Sequence, residues 1–269
     1  MDIKLLAVDI DETMVNSHHK MTTVTQQALK KAMEQGITVA VVTGRCLEGL
    51  PAKLRTLEGI RYVISSNGAK IYDMKAKKVL YRKLISTKSV LDIWNVCKNF
   101  HVGLAFHSEG RCYDNRVLQM LYRRVAYHRD FKTHSPIINL EKWVKNNKKP
   151  LEKLQIFSGN REKLQTMNEQ LRELPGLEIA YSSSNYIEIT DEEANKGKAL
   201  NYLCHSLGIP LEQVMAIGDN ANDCSMLKIV GCPVAMGNAN EDVKEIANYV
   251  TTSVDENGVL NALKYFNII

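Results

Sequence analysis

The sequence predicts an α/β fold in which a parallel sheet covered by helices is interrupted by an α+β insert. Near both ends of the chain, short and wholly apolar runs alternate with helix-length amphipathic stretches, the rhythm of a parallel sheet. From about residue 82 to 189 the pattern changes to period two, as in Asn185-Tyr186-Ile187-Glu188-Ile189, which belongs to a sheet with one solvated face. Polar residues stand directly at the ends of several apolar runs, where open α/β sheets bind their ligands.

Residues 3–10 are short and nearly all apolar, as in a strand buried on both faces. Thr22 or Thr23 is placed to cap a helix running to about Gln35, and Gly36 supplies its left-handed stop. The next strand, 37–42, ends in Thr43-Gly44-Arg45, and a third, 62–64, closes in Ser65-Ser66-Asn67-Gly68. The rhythm returns with a helix over 198–207, stopped by Gly208 with Pro210 behind it. A strand over 214–217 ends in Gly218-Asp219; further strands are expected at 233–236 and 249–250, with helices near 241–247 and 257–264. The expected organisation is a Rossmann-like core built from residues 1–82 and 189–269, with an α+β domain of residues 83–188 inserted between its halves. The Lys/Asn-rich stretch 142–149 reads as an exposed turn.

At 269 residues the chain is long enough to bury a core without disulfides or structural metals. Its 45% apolar and 24% charged residues are those of an ordinary soluble globular protein. A net charge of +5 is mild; it favours acidic small molecules, and the basic residues form no recognised nucleic-acid module. Cys46, Cys97, Cys112, Cys204, Cys224 and Cys232 include no CxxC pair, and the seven histidines no HExxH spacing, which argues against zinc and for reduced thiols. No stretch approaches the roughly 18 apolar residues of a membrane span, and the N-terminal segment lacks the pattern of a signal peptide. The expectation is a cytoplasmic protein, monomeric or weakly homo-oligomeric, acting on small molecules rather than on nucleic acid or membranes.

Asp9 and Asp11 end the first predicted strand, Thr43 the second and Asp219 a strand of the second half. Asn222 and Asp223 follow in the next loop, and Lys196 precedes the helix leading into that strand. Carboxylates so close repel one another unless a cation holds them, and oxygen donors without His or Cys suit magnesium. A carboxylate can attack phosphorus to form an acyl phosphate. A hydroxyl, an ammonium and backbone N–H groups can hold phosphoryl oxygens, and a second carboxyl group can move the proton. The set suffices for phosphoryl transfer.

Asp9-Ile10-Asp11-Glu12-Thr13, Thr43-Gly44-Arg45, Lys196-Gly197 and Gly218-Asp219-Asn220-Ala221-Asn222-Asp223 resemble, in order, the four motifs of the haloacid dehalogenase superfamily. A large insert after Ser66-Asn67-Gly68-Ala69 and before Asn195-Lys196-Gly197 resembles the Cof-type branch, with its subclass IIB cap. The resemblance implies a phosphatase core and cap. It implies Asp9 as nucleophile and magnesium ligand, and Asp11 as general acid/base with its backbone carbonyl on the metal. Thr43 and Gly44 would bind the phosphoryl group, and Lys196 would steady both it and the nucleophile. Asp219 would ligate magnesium, Asp223 would support the metal or hold Lys196, and Asn222 would approach the phosphate. Glu12 departs from the family's usual glycine, which eases a tight turn; its side chain is expected to point away from the phosphate.

In the insert, His107 and Arg111 flank Glu109-Gly110, a hairpin tip, and are the candidates for substrate contact. Tyr113, Arg123, Arg124, His128 and Arg129 fit surface or packing roles better. Trp94 and Trp143 are expected inside the insert, and Arg45 either orients the Thr43 loop or caps a helix. The expected activity is magnesium-dependent hydrolysis of a small phosphomonoester, such as a sugar phosphate. A phosphotransferase or mutase would use the same aspartyl phosphate. A phosphorylation switch is disfavoured, because receiver domains lack a cap and place their acidic pair on another strand.

Overall fold

The computed structural model describes residues 2–16, 18, 20–126, 134–147, 149, 151–183 and 185–269, without the side chains of 123–126 and 181–183. In chain order the first elements are β1 (Leu5–Asp9), α1 (Thr23–Glu34), β2 (Thr38–Val42), α2 (Ala52–Arg55), β3 (Tyr62–Ser65), β4 (Lys70–Asp73) and β5 (Lys78–Arg82). Next come α3 (Thr87–Cys97), β6 (Gly103–Ser108), β7 (Arg111–Asp114), α4 (Val117–Ala126), β8 (His134–Pro136), α5 (Leu140–Asn146), β9 (Lys153–Phe157), α6 (Arg161–Arg172), β10 (Leu177–Ser183) and β11 (Tyr186–Asp191). The chain ends with α7 (Lys196–Leu207), β12 (Val214–Gly218), α8 (Cys224–Leu227), β13 (Cys232–Ala235), α9 (Glu241–Ile246), β14 (Tyr249–Val250) and α10 (Gly258–Tyr265). These elements group into two compact units: Met1–Gly44, Lys53–Tyr81 and Asn195–Ile269 in the first, and Arg45–Ala52 with Arg82–Ala194 in the second.

The sheet of the first unit has the order β14-β13-β12-β1-β2-β3-β4-β5. β1 lies between β2 and β12 and is parallel to both, with Asp9 opposite Val42 and Val8 opposite Ile217. Every residue of β1, β3, β12 and β13 is buried, as strands covered on both faces require. From β1 the chain moves outward through β2 and β3, then returns on the other side at β12. That reversal puts a topological switch point at the carboxyl end of β1, the place where such sheets bind ligands. β4 is antiparallel to β3 and, with β5, extends this edge of the sheet, an addition that the sequence reading did not contain.

Local signals act where the residue types suggest. Thr22 caps α1, its hydroxyl accepting from the Thr25 N–H. Gly208 closes α7 in the left-handed conformation, φ 66°. The start of α7 corrects the expected boundary. Asn195 accepts from the Lys198 N–H as N-cap, so Lys196 is the first helical residue rather than a residue ahead of the helix.

Among the described residues the second unit carries a six-stranded sheet, β10-β11-β9-β6-β7-β8, antiparallel except for the β7–β8 pair. Period-two alternation sends Leu104, Phe106, Leu154, Ile156, Ile187 and Ile189 into a core shared with Val90, Ile93, Leu164 and Met167 of its helices. Trp94 and Trp143 pack against that core, and the Trp143 ring lies 4.5 Å from Phe106. On the opposite face the buried Lys153 Nζ donates to Glu188 Oε1 at 2.6 Å, and the half-buried Gln155 Nε2 donates to the same oxygen at 2.8 Å. The cysteines are free, and burial pushes the Cys46 and Cys204 thiols up to about 11. Among the described residues no helix is long and apolar enough to cross a membrane.

Candidate active site

At the carboxyl edge of the first unit's sheet, Lys196 is the hub. Its Nζ donates to Asp9 Oδ1 at 2.7 Å, Asp223 Oδ1 at 2.6 Å and Asn222 Oδ1 at 3.3 Å. Those three acceptors match the three protons of an ammonium group. Lys196 is 1% exposed, Asp9 6%, Asp219 7% and Asp223 0%, so the charges meet where water screens them little. Asp223 is shared further: its Oδ2 accepts from the N–H groups of Asp219 and Asn220, at 3.0 and 3.1 Å, which fixes the turn between β12 and α8. Thr43, fully buried at the end of β2, donates its N–H to Ile64 and accepts at its carbonyl from the Asn67 N–H. Gly44 follows as the next residue of the same unit.

Three carboxylates surround one ammonium. Burial, and then the neighbouring carboxylates against the pull of Lys196, raise Asp9 well above the usual carboxylate range. Burial and the Asp223 charge push Asp219 up to about 7. Burial opposes the charge on Lys196, but Asp223 and Asp9 hold it protonated, above the ordinary lysine value. The surplus negative charge can be met by a divalent cation. One oxygen from each of Asp9, Asp219 and Asp223 lies within 4.8 Å of the others, all three buried. Hard oxygen donors with no His or Cys among them fit magnesium.

The loop after β1 is pinned at two points. Thr13 Oγ1 donates to Asp219 Oδ1 at 2.7 Å, and Asn238 Nδ2 donates to the Glu12 carbonyl at 2.9 Å. Asp11 is exposed, and its charge adds to the raising of Asp9. Glu12 takes φ 57°, the left-handed region that glycine enters without penalty, which accounts for glycine's suitability at this position. Its carboxylate reaches the cluster electrostatically, adding to the burial and Asp223 effects that raise Asp219. Glu12→Gly is therefore expected to stabilise the fold by up to about 1 kcal/mol, the left-handed penalty less glycine's added unfolded-state entropy. Urea unfolding measures this, and a clear loss of stability would show that Glu12 is held there by contacts worth more than the strain.

The insert candidates belong to the second unit. His107 is buried on β6, directly opposite Lys153 of β9, and burial followed by the Lys153 charge pulls its pKa well below the ordinary value. Arg111, at the tip of the β6–β7 hairpin, is exposed and donates from Nε to Glu48 Oε1 at 2.9 Å. Arg45 closes its own turn by donating to the Gly49 carbonyl at 3.2 Å. Tyr113 packs on the insert core, 5.6 Å from Trp143. His128, Arg129 and the side chains of Arg123 and Arg124 lie outside the described residues.

Asp9, Lys196, Asn222, Asp219 and Asp223 are thus brought together, with Thr43 bonded to the adjoining turn through Asn67. Thr13 and Asn67 join the site without having been assigned roles from sequence. Thr13 belongs to the Asp9–Thr13 motif, and Asn67 to the Ser65–Gly68 stretch that closes the third predicted strand. Their partners are 206 and 155 residues away, so only the fold could disclose the bonds.

A parallel sheet with buried carboxylates and a lysine at its switch point defines an α/β protein built to work on a ligand at that edge. The chain belongs to the haloacid dehalogenase-like hydrolases, whose family model matches residues 6–263. It is 31% identical to the phosphatase YwpJ of Bacillus subtilis, over 98% of this chain and 99% of that protein. It is 30% identical to the 5-amino-6-(5-phospho-D-ribitylamino)uracil phosphatase YcsE of the same organism, over 99% and 96%. A solved structure of a subclass IIB sugar phosphatase of this superfamily superposes with a TM-score of 0.85 at 28% identity, covering 99% of this chain and 100% of that one. The Cof-type, subclass IIB resemblance is borne out, and the α/β fold with it.

Proposed function

We propose that this protein is a magnesium-dependent phosphatase of small phosphomonoesters that works through an aspartyl phosphate on Asp9. The carrying observation is the buried contact of Asp9 with Lys196 beside Asp219 and Asp223. A carboxylate oxygen of Asp9 attacks phosphorus, the bond to the ester oxygen breaks, and the leaving oxygen takes a proton from Asp11. Asp11 then removes a proton from water, whose oxygen attacks the phosphoryl group; inorganic phosphate leaves and Asp9 is regenerated. Asp11's exposure suits a group that exchanges protons with ester and water in turn. Thr43, Gly44, Asn222 and Lys196 hold the phosphoryl oxygens and oppose their charge. Asp9 and Asp219, with the Asp11 carbonyl, would hold magnesium and Asp223 would support it; the ion supplies positive charge against the phosphate and the carboxylates.

Relatives named for a substrate act on a ribitylaminouracil phosphate, a sugar phosphate, phosphoglycolate and pyridoxal phosphate, all of them small phosphomonoesters. Small phosphorylated metabolites of that kind, met in the cytoplasm, are the proposed substrates. Phosphate release from p-nitrophenyl phosphate and a panel of such esters, with magnesium and with chelator, tests the reading. Metal-dependent release is expected. Isomerised ester without free phosphate would mark a phosphotransferase instead, and no reaction with any ester would defeat the enzymatic reading.

A further inference from the structure

The turn after β3 takes positive φ at three consecutive residues, two of them not glycine: Ser66 has φ 52°, Asn67 φ 57° and Gly68 φ 96°. A left-handed conformation costs an L-residue roughly 1–2 kcal/mol, so two successive non-glycine residues keep it only where their surroundings impose it. Here the surroundings are the candidate site. The Asn67 N–H donates to the Thr43 carbonyl at 3.0 Å. Asn67 Oδ1 accepts from Asn222 Nδ2 at 3.3 Å, and Asn222 Oδ1 accepts from Lys196 Nζ at the same distance. Gly68 lies against the start of α7: a Cβ there would come within 2.2 Å of the Asn195 carbonyl oxygen and 3.0 Å of the Lys196 nitrogen.

We infer that the Ser66–Gly68 turn is a positioning device for Lys196, with Asn67 as the side chain that sets it. The turn meets Lys196 at both ends, by backbone packing at its helical nitrogen and through Asn222 at its ammonium. An asparagine carboxamide can present either end. Rotated by half a turn, Asn222 would point N–H groups at the ammonium and leave the third Lys196 proton without an acceptor. An acceptor at Asn67 Oδ1 selects the other orientation, and the left-handed backbone places that acceptor. Asn67 does not touch the reacting atoms; it acts through Asn222 and Lys196.

The inference rests on the proposed role of Lys196 in holding the phosphoryl group. Asn67→Gly is the direct test, because glycine keeps the left-handed turn and the N–H bond to Thr43 while removing the carboxamide. Binding of inorganic phosphate in magnesium, by calorimetry, is compared for wild type, Asn67→Gly, Asn222→Ala and the double variant, alongside thermal unfolding and phosphate release from p-nitrophenyl phosphate. Asn67→Gly should weaken phosphate binding about five- to tenfold, the worth of one hydrogen bond, with Tm shifted by no more than a few degrees. In the Asn222→Ala background it should cost nothing further, which a general loss of packing would not reproduce. Phosphate binding within twofold of wild type, or equal losses in both backgrounds, would overturn the inference. Wild type that binds phosphate but releases none from esters would defeat the phosphatase reading and leave the binding cycle to decide on Asn67. Wild type that binds no phosphate would overturn the inference, while release from p-nitrophenyl phosphate would still decide the phosphatase reading.

Discussion

Asp9→Asn is expected to lower phosphate release on the order of 10⁴- to 10⁶-fold, the scale of losing a catalytic nucleophile. Asparagine is nearly isosteric and its oxygen can still accept from Lys196, so the 2.7 Å contact does not require the charge. What it cannot do is form the acyl phosphate. The same change removes one of three buried carboxylates around a single ammonium, so the metal-free variant should unfold at the same temperature as wild type or higher. Activity and stability therefore move in opposite directions, which separates a lost nucleophile from a damaged fold. Turnover and thermal unfolding of the same preparation give both numbers. A variant that kept even a tenth of wild-type turnover would place the nucleophile elsewhere and end the Asp9 mechanism.

The sequence made the fold legible wherever burial on both faces compressed the choice of residues. β1, β2, β12 and β13 are short apolar runs, and the helices between them carry their own caps and stops, Thr22 and Gly208 among them. It was less legible where a single side chain decides a boundary. Asn195 looked like part of a motif, and only its bond to the Lys198 N–H shows that α7 begins at Lys196. That shift matters, because it fixes the first helical residue as the one whose ammonium reaches Asp9 and Asp223. β4 and β5 were missed because Lys70–Asp73 and Lys78–Arg82 mix charge with apolar residues, as strands toward a sheet edge do. The carboxylates and Lys196 could be placed at one sheet edge from their positions after apolar runs. Thr13, Asn67 and Asn238 could not, since each acts through a bond to a residue more than 150 positions away, and no local pattern encodes such a partner.

In chelator, Asp219→Asn is expected to be increasingly more stable than wild type as pH rises from about 4 to about 7, and magnesium should erase or reverse that gap. Burial, then the Asp223 charge, lift the Asp219 carboxyl from 3.8 to about 7, so the folded protein binds this proton more tightly than the unfolded chain. A raised folded-state pKa contributes stability that is fully present below the unfolded value and is lost as pH climbs through the folded one. A span of about three pH units, at about 1.4 kcal/mol each, sets a ceiling near 4 kcal/mol. Other groups shape the whole profile. His107, buried and neutral, adds stability as pH rises toward 6.5, the opposite sign. Asp73 stays low despite burial because the Ala76 N–H and Arg61 favour its anion, and Asp114 because His134 and Arg116 do; both lose stability only as pH falls below 3.8. Comparing the variant with wild type cancels these contributions and isolates Asp219. Asparagine keeps an oxygen to accept from Thr13, so the 2.7 Å bond is not the variable. Urea midpoints at several pH values, in chelator and in magnesium, supply the measurement. A gap that stays constant with pH would mean that the metal-free cluster does not concentrate its strain at Asp219. A magnesium-induced rise in Tm as large in the variant as in wild type would remove Asp219 from the metal site.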